Sequence, residues 1–339
     1  MSTGALATLL SQQPFSFTGL KTIGKVAFIL DLVLFLTFCI LISIRFILEP
    51  RALSKSLHHP HESFFFGTFW VSITLILYCI QSYGVPSTGP WLVKTLEVCF
   101  WLYAGCVLLV VILPAYPFLV LGRLAAVLEC SQPQTSAISI MVGGIVFQGL
   151  GWMTAFIMYT IYFTRLINSD LPEESKRPGM YVAVGPAAYT SNTLVALGVQ
   201  APKVLPATFL GITSVPTGDL WKAFAVPAGM FLWLLDFWFF ALATVSVLWG
   251  YKKLHFTLNY WPFIFPNVGL TVALIQTWNV LDSDGTKGVC SAMTVALVIA
   301  WIGVAVMNVR AVWRGDVLWP GMDEDMEDME GHGQKTRPD

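Results

Sequence analysis

Apolar runs separated by short polar breaks dominate the chain. Stretches with few or no charges fall at 26–48, 64–83, 91–111, 138–163, 180–197, 221–249, 256–277 and 289–309. As helices they are long enough to cross a hydrocarbon core about 30 Å thick. A membrane strand barrel would instead alternate in polarity over segments of about ten residues. Two runs are shorter. Residues 5–10 end in Ser11-Gln12-Gln13-Pro14 and are too short to span alone, and 114–128 is set off from its predecessor only by Pro114 and Pro117. The breaks carry Pro, Gly, Ser or charges, as links between helices do. From Arg310 the chain turns polar and then acidic (Asp323-Glu324-Asp325-Met326-Glu327-Asp328). The division read from this is a membrane domain over 1–314 and a disordered acidic tail over 315–339.

Basic residues orient the spans. Arg45, Arg51 and Lys55 follow the first long run, Arg165, Lys176 and Arg177 the run at 138–163, Lys252 and Lys253 that at 221–249, and Arg310 and Arg314 the last. The positive-inside rule puts these breaks and the C-terminus in the cytosol. The chain must then cross an even number of times between Arg51 and Lys176, so 114–128 is expected to supply a fourth crossing. Residues 91–129 as continuous helix measure about 58 Å, which fits two thin crossings around a tight turn.

Composition agrees with this picture. Of 339 residues, 56% are hydrophobic and 12% charged, against roughly 25% charged in a soluble domain. The net charge of −1 offers nothing to nucleic acid. The six cysteines lie in or beside apolar runs without C-x-x-C spacing and read as small core residues. The amino terminus lacks the basic region that opens a signal peptide. His58-His59-Pro60-His61-Glu62 resembles a metal cluster, but only His255 and His332 exist elsewhere, too few for a di-iron site. No H-E-x-x-H, G-x-S-x-G or nucleotide-binding loop stands in a suitable context. Neither an enzyme, a cofactor nor a metal is expected.

Ionisable groups in or near spans are costly in lipid and are functional candidates. Lys94 and Lys222 lie near span ends and snorkel. Asp31 falls in the first turns of its span, which suggests the interface, and Asp236 lies deepest. Arg123 supplies the positive potential an anion path needs, although a pairing with Glu129 or a lipid headgroup fits it equally well. Pro186, Pro227, Pro262 and Pro266 interrupt spans. Such breaks suit helices whose freed carbonyls meet neighbours or a watery path.

The block Arg177-Pro178-Gly179-Met180-Tyr181-Val182-Ala183-Val184-Gly185-Pro186-Ala187-Ala188-Tyr189-Thr190 resembles the signature of the tellurite-resistance/dicarboxylate transporter family, in its fungal malic-acid permease branch. Residues 59–70, the segment Phe147-Gln148-Gly149-Leu150-Gly151, residues 259–269 and the ending Arg310-Ala311-Val312-Trp313-Arg314 agree with it, in order along nearly the whole chain. The resemblance implies an all-α membrane fold of up to ten helices, arranged as five hairpins around a central pore. It also implies odd-numbered helices inside, even-numbered ones outside, and a homotrimer in the plasma membrane. The substrate implied is a small organic anion such as malate, with sulfite or another inorganic anion as the alternative. Phe265 matches a phenylalanine that occludes the pore in the channel branch. Ser63, Thr68, Thr190 and Asn267 are the implied polar lining, with Pro186 and Pro266 as kinks. Three departures accompany this likeness. Met1-Ser2-Thr3-Gly4 resembles the middle of the family's first helix, implying that the outer half of that helix is missing. The hairpin at 91–129 is shorter than the family's, as though residues near 111–113 were deleted. Gly122-Arg123 replaces small uncharged residues.

Overall fold

The computed structural model describes residues 1–51, 56, 60–110, 115–315 and 317, with the backbone alone at 60–65 and 110. The acidic tail, His58-His59 and residues 111–114, where the sequence suggests a deletion, lie outside the described residues, as do the side chains of His61, Glu62 and Ser63. Among the described residues the chain is helices joined by short linkers, with no strand. The helices are α1 (Ser2–Ser11), α2 (Leu20–Leu48), α3 (Pro60–Cys79), α4 (Pro90–Val110), α5 (Tyr116–Leu128), α6 (Gln134–Asn168), α7 (Val184–Val204), α8 (Thr217–Trp249), α9 (Phe265–Leu281) and α10 (Asp284–Arg314). Four of them lie between Arg51 and Lys176, so 114–128 does form its own element. Prolines mark many of the starts. Pro117 and Pro266 occupy the first turns of α5 and α9, while Pro133 and Pro216 cap α6 and α8. A proline costs nothing there, because the first-turn amides have no intrahelical partner anyway.

Among the described residues eight spans are long and apolar enough to cross a membrane, and α1 and α5 are shorter helices. Both are enclosed by protein. Ser2 through Leu10 is buried without a gap, and most of α5 is buried too. The long spans divide into two classes. In the most apolar stretch of each, 56% of residues are buried for the α3 span, 78% for the span containing α7 and 72% for that containing α9. The even-numbered spans range from 6% at α2 to 39% at α6. The odd helices are therefore an inner ring, and the even ones present Leu, Ile, Phe and Val outward, as a chain solvated by lipid requires.

Glycines bring the two rings close together. A Cβ on Gly144 of α6 would lie 2.3 Å from the Cβ of Ala125 on α5, and one on Gly122 would lie 2.4 Å from Gln148 Oε1. Gly229 of α8 sits in the same way against Val195 of α7, at 2.3 Å, and Gly198 of α7 against Ala225 of α8, at 2.5 Å. Membrane helices approach closely at small residues because dispersion contacts replace a hydrophobic drive that lipid does not provide.

Asp31 is held by protein. It is buried on α2, where its Oδ1 accepts the Gly4 amide at 2.8 Å. The start of α1 leaves amides unpaired, and a carboxylate from the neighbouring helix answers one of them.

Candidate functional site

The prolines of the family signature start helices. Ten residues of 3₁₀ helix, Glu174–Ala183, precede α7, and six, Leu258–Phe263, precede α9. Pro186 and Pro266 each stand in the first turn after the change, so both spans switch helix type at the proline. Arg177 holds the first of these segments in place. Its Nε donates to Pro172 O at 3.0 Å and its Nη1 to Ser246 O near the end of α8 at 3.3 Å. The signature arginine is thus a clamp between the α6–α7 connection and α8.

The N-termini of α5, α7 and α9 meet at a cluster of aromatic rings. Phe265, the first residue of α9, is 2% exposed. Its ring stacks on Tyr189 of α7 at 5.0 Å between centroids and packs on Tyr116, the first residue of α5, at 5.4 Å. Tyr116 donates its hydroxyl to Val182 O at 2.6 Å, and Gly185 leaves the room this ring needs. The 3₁₀ segments run directly into α7 and α9, with the Val184 and Ile264 amides bonded back to Tyr181 O and Trp261 O.

One turn or more further along the same faces lies a cavity of about 20 Å³, room for about one water molecule. It is lined by odd helices alone. Thr8 and Gln12 come from α1 and the residue after it, and Thr74 and Tyr78 from α3. Val120 and Arg123 come from α5, Tyr189 and Asn192 from α7, and Gly269 and Val272 from α9. Helical spacing explains the set: Tyr116, Val120 and Arg123 share a face of α5, as Phe265, Gly269, Val272 and Gln276 share one of α9. Tyr189 belongs to both the cavity wall and the aromatic cluster. From Tyr116 to Arg123 is seven residues, about 10 Å of helix rise.

Arg123 is 7% exposed and among the described residues forms no ion pair with a carboxylate. Its Nη2 donates to Tyr78 OH at 3.0 Å and to Gln12 Oε1, while the cation stands 5.4 Å from the Tyr78 ring centroid. Gln12 Oε1 accepts a second donor, Gln276 Nε2, at 2.9 Å. Two further buried polar atoms, Arg123 Nε and Asn192 Oδ1, have no protein partner. Glu129, at the end of the same helix, is buried with both carboxylate oxygens unpartnered, so the pairing with Arg123 is not made. What the arrangement offers is a desolvated cation among neutral polar partners, a setting that attracts an anion strongly because the local dielectric is low.

The remaining sequence candidates lie elsewhere. Thr190 donates to Pro186 O at 2.7 Å and accepts from Gln148 of α6 at 2.9 Å. Asn267 turns its Nδ2 to Phe263 O at 2.9 Å. Thr68 is half-buried on α3. None of these three lines the cavity. Asp236 is fully buried on α8, with both oxygens unpartnered. Among the described residues no three His, Cys, Asp or Glu side chains gather as metal ligands. Sequence reasoning missed Gln12, Tyr78, Asn192 and Gln276. The signal that would have found them is the one used for charges: a polar side chain inside an apolar span needs a partner or a path.

Comparison with known proteins agrees with this architecture. Residues 1–309 match the family described as SLAC1, voltage-dependent anion channel. Two proteins of Schizosaccharomyces pombe whose names refer to malic acid transport are each 30% identical over 96% of this chain, which covers 81% and 79% of their own lengths. A sulfite efflux pump SSU1 of Arthroderma benhamiae is 26% identical over 91% of this chain and 88% of its own. These relatives are transporters, not enzymes. An all-helical membrane bundle with its odd helices inside, matched along 1–309, belongs to the SLAC1 voltage-dependent anion channel family.

Proposed function

We propose that the chain carries a small carboxylate, malate or a similar C4-dicarboxylate, across the plasma membrane along the axis between α1, α3, α5, α7 and α9. The observation that carries this reading is the buried, carboxylate-free Arg123 in a cavity walled by all five inner helices. The malic acid transport proteins supply the substrate class. Phe265, held between Tyr116 and Tyr189 where three helix N-termini meet, is the gate: its ring closes the path and swings aside to open it. Pro186 and Pro266 set the helix starts at that level. The basic breaks and the C-terminus face the cytosol, residues 1–314 form the transport unit with 315–339 as a tail, and three copies assemble with one path each.

Sulfite or another inorganic anion is the second reading. A cavity of about 20 Å³ suits a compact anion better than malate, and the sulfite efflux pumps align over 91% of the chain. Labelled-malate uptake in a permease-null yeast, beside sulfite sensitivity in an efflux-null strain, separates the two. Neither uptake nor rescue, with the protein at the cell surface, would sink both.

A further inference from the structure

Gln12 stands at the end of α1, where its backbone amide donates to Leu9 O at 3.1 Å and closes the last turn. Its side chain is tied at both ends. Nε2 donates to Thr8 O at 3.3 Å, while Oε1 accepts from Arg123 Nη2 and from Gln276 Nε2. A guanidinium is donor only, so the contact with Arg123 fixes which end of the amide is oxygen. One neutral oxygen therefore gathers donors from α5 and α9. Arg123 in turn uses the Tyr78 oxygen as a second neutral acceptor.

This is the donor arrangement that a carboxylate oxygen would receive. A buried guanidinium ordinarily takes an ionised partner, because an uncompensated ion is costly in a low dielectric. Here it has an amide oxygen, which matches the geometry and not the charge. The carbonyl end of α1 supplies only partial negative charge. Gln12 is also placed to leave. It lies beyond the helix and is half-buried, while its neighbour Gln13 holds the segment by donating to Thr294 Oγ1 at 2.8 Å and Leu9 O at 3.2 Å. A rotation of the Gln12 side chain alone frees the site.

We propose that Gln12 is a built-in stand-in for the transported anion: its amide oxygen occupies, on Arg123 and Gln276, the position of a substrate carboxylate oxygen, and substrate binds by displacing it. The inference rests on the transport reading and names the groups that recognise the anion. Gln12 competes with substrate, whereas Arg123 and Gln276 hold it. A competitor that occupies the site lowers apparent affinity by the fraction of time the site is free.

The test is calorimetric titration of the purified full chain in detergent, at low salt, with malate and separately with sulfite. Gln12→Ala should tighten binding about tenfold, the scale of one released charge-assisted hydrogen bond. Gln276→Leu should weaken it about tenfold for the same reason. Gln12→Glu, which is nearly isosteric, should place a permanent carboxylate on Arg123 and weaken binding at least about a hundredfold. Gln12→Ala weakening as Gln276→Leu does would make Gln12 a ligand and overturn the proposal. So would a Gln12→Glu chain that binds like wild type, or binding of neither anion to wild type and Gln12→Ala. Tightened binding by Gln12→Ala without cellular uptake would keep the stand-in and remove the transport reading. Intact uptake with unchanged binding in both Gln12 variants would remove the stand-in alone.

Discussion

Replacing Arg123 by methionine separates a substrate-binding cation from a structural one, because the two roles predict opposite effects on stability. In the resting protein the substitution removes hydrogen bonds to Tyr78 and Gln12, each worth about 1.5–3 kcal/mol. It also removes a buried ion without a carboxylate partner, and apolar replacement of buried ions is often neutral or stabilising by about 1–4 kcal/mol. Gln12 keeps its donor from Gln276. The midpoints of the two terms differ by about 2 kcal/mol, so the melting temperature in detergent should fall by no more than about 4–8 °C, at about 2–4 °C per kcal/mol in a larger domain. The anion has no such compensation. A unit charge about 4 Å away at an effective dielectric of about 20 is worth about 4 kcal/mol, or roughly a thousandfold in affinity. Labelled-malate uptake should show KM raised by about two to three decades at normal surface level. A KM within a few-fold of wild type would refute the argument. A collapse of the melting temperature together with transport would assign Arg123 to the frame of the bundle.

Phe265→Ala should raise anion conductance in planar bilayers, and, by leaving a hole between Tyr116 and Tyr189, should cost about 3–5 kcal/mol of stability; unchanged conductance in a folded protein would remove the gate. Gly122→Leu should destabilise by more than about 1–3 kcal/mol, because even a Cβ there would meet Gln148 and Thr193 at 2.4 and 2.9 Å; a wild-type melting temperature would contradict the close approach. Arg177→Met should lower stability by about 2–4 kcal/mol through lost bonds to the Pro172 and Ser246 carbonyls, with malate KM unchanged. Asp236→Asn, which removes a fully buried carboxylate without partners, should leave uptake and its pH profile intact and raise the melting temperature; a lost pH dependence would instead place a working proton on the outer ring.

Length and polarity made the long spans readable, because a hydrocarbon core about 30 Å thick imposes a minimum run that chance composition rarely meets. A separate element at 114–128 was readable only by counting charges on either side of it; a helix is there at Tyr116–Leu128, although it is too short to be among the candidate spans. The inner and outer rings came from resemblance, since every span is apolar and hydropathy does not distinguish lipid from a neighbouring helix. For the same reason the partner of Asp31 was not legible: the sequence shows its depth on α2 but not that the Gly4 amide of α1 lies beside it. At the site, Arg123 was visible because a charge in an apolar run stands out. Gln12 was not, because it reads as the polar stop after a short run. Thr190 and Asn267 were named for their motif, yet helical phase turns the cavity toward Asn192 and Gly269 instead. A motif locates a turn of helix, and the face must come from packing.

The glycine contacts between α5 and α6, and between α7 and α8, also limit how the protein moves. Side chains of the facing helix press on the backbone at Gly122, Gly144, Gly198 and Gly229, which leaves little slack for an inner helix to slide or tilt against its outer companion without collision. Each such hairpin behaves as a single stiff strut. Widening the axis by spreading helices would then require whole struts to shift through the surrounding lipid, a slow collective motion. Ring flips and amide rotations need only torsional freedom at a few side chains and proceed in nanoseconds to microseconds. On the proposed gate and stand-in, opening kinetics should follow substitutions at Phe265 and Gln12 while staying indifferent to membrane thickness.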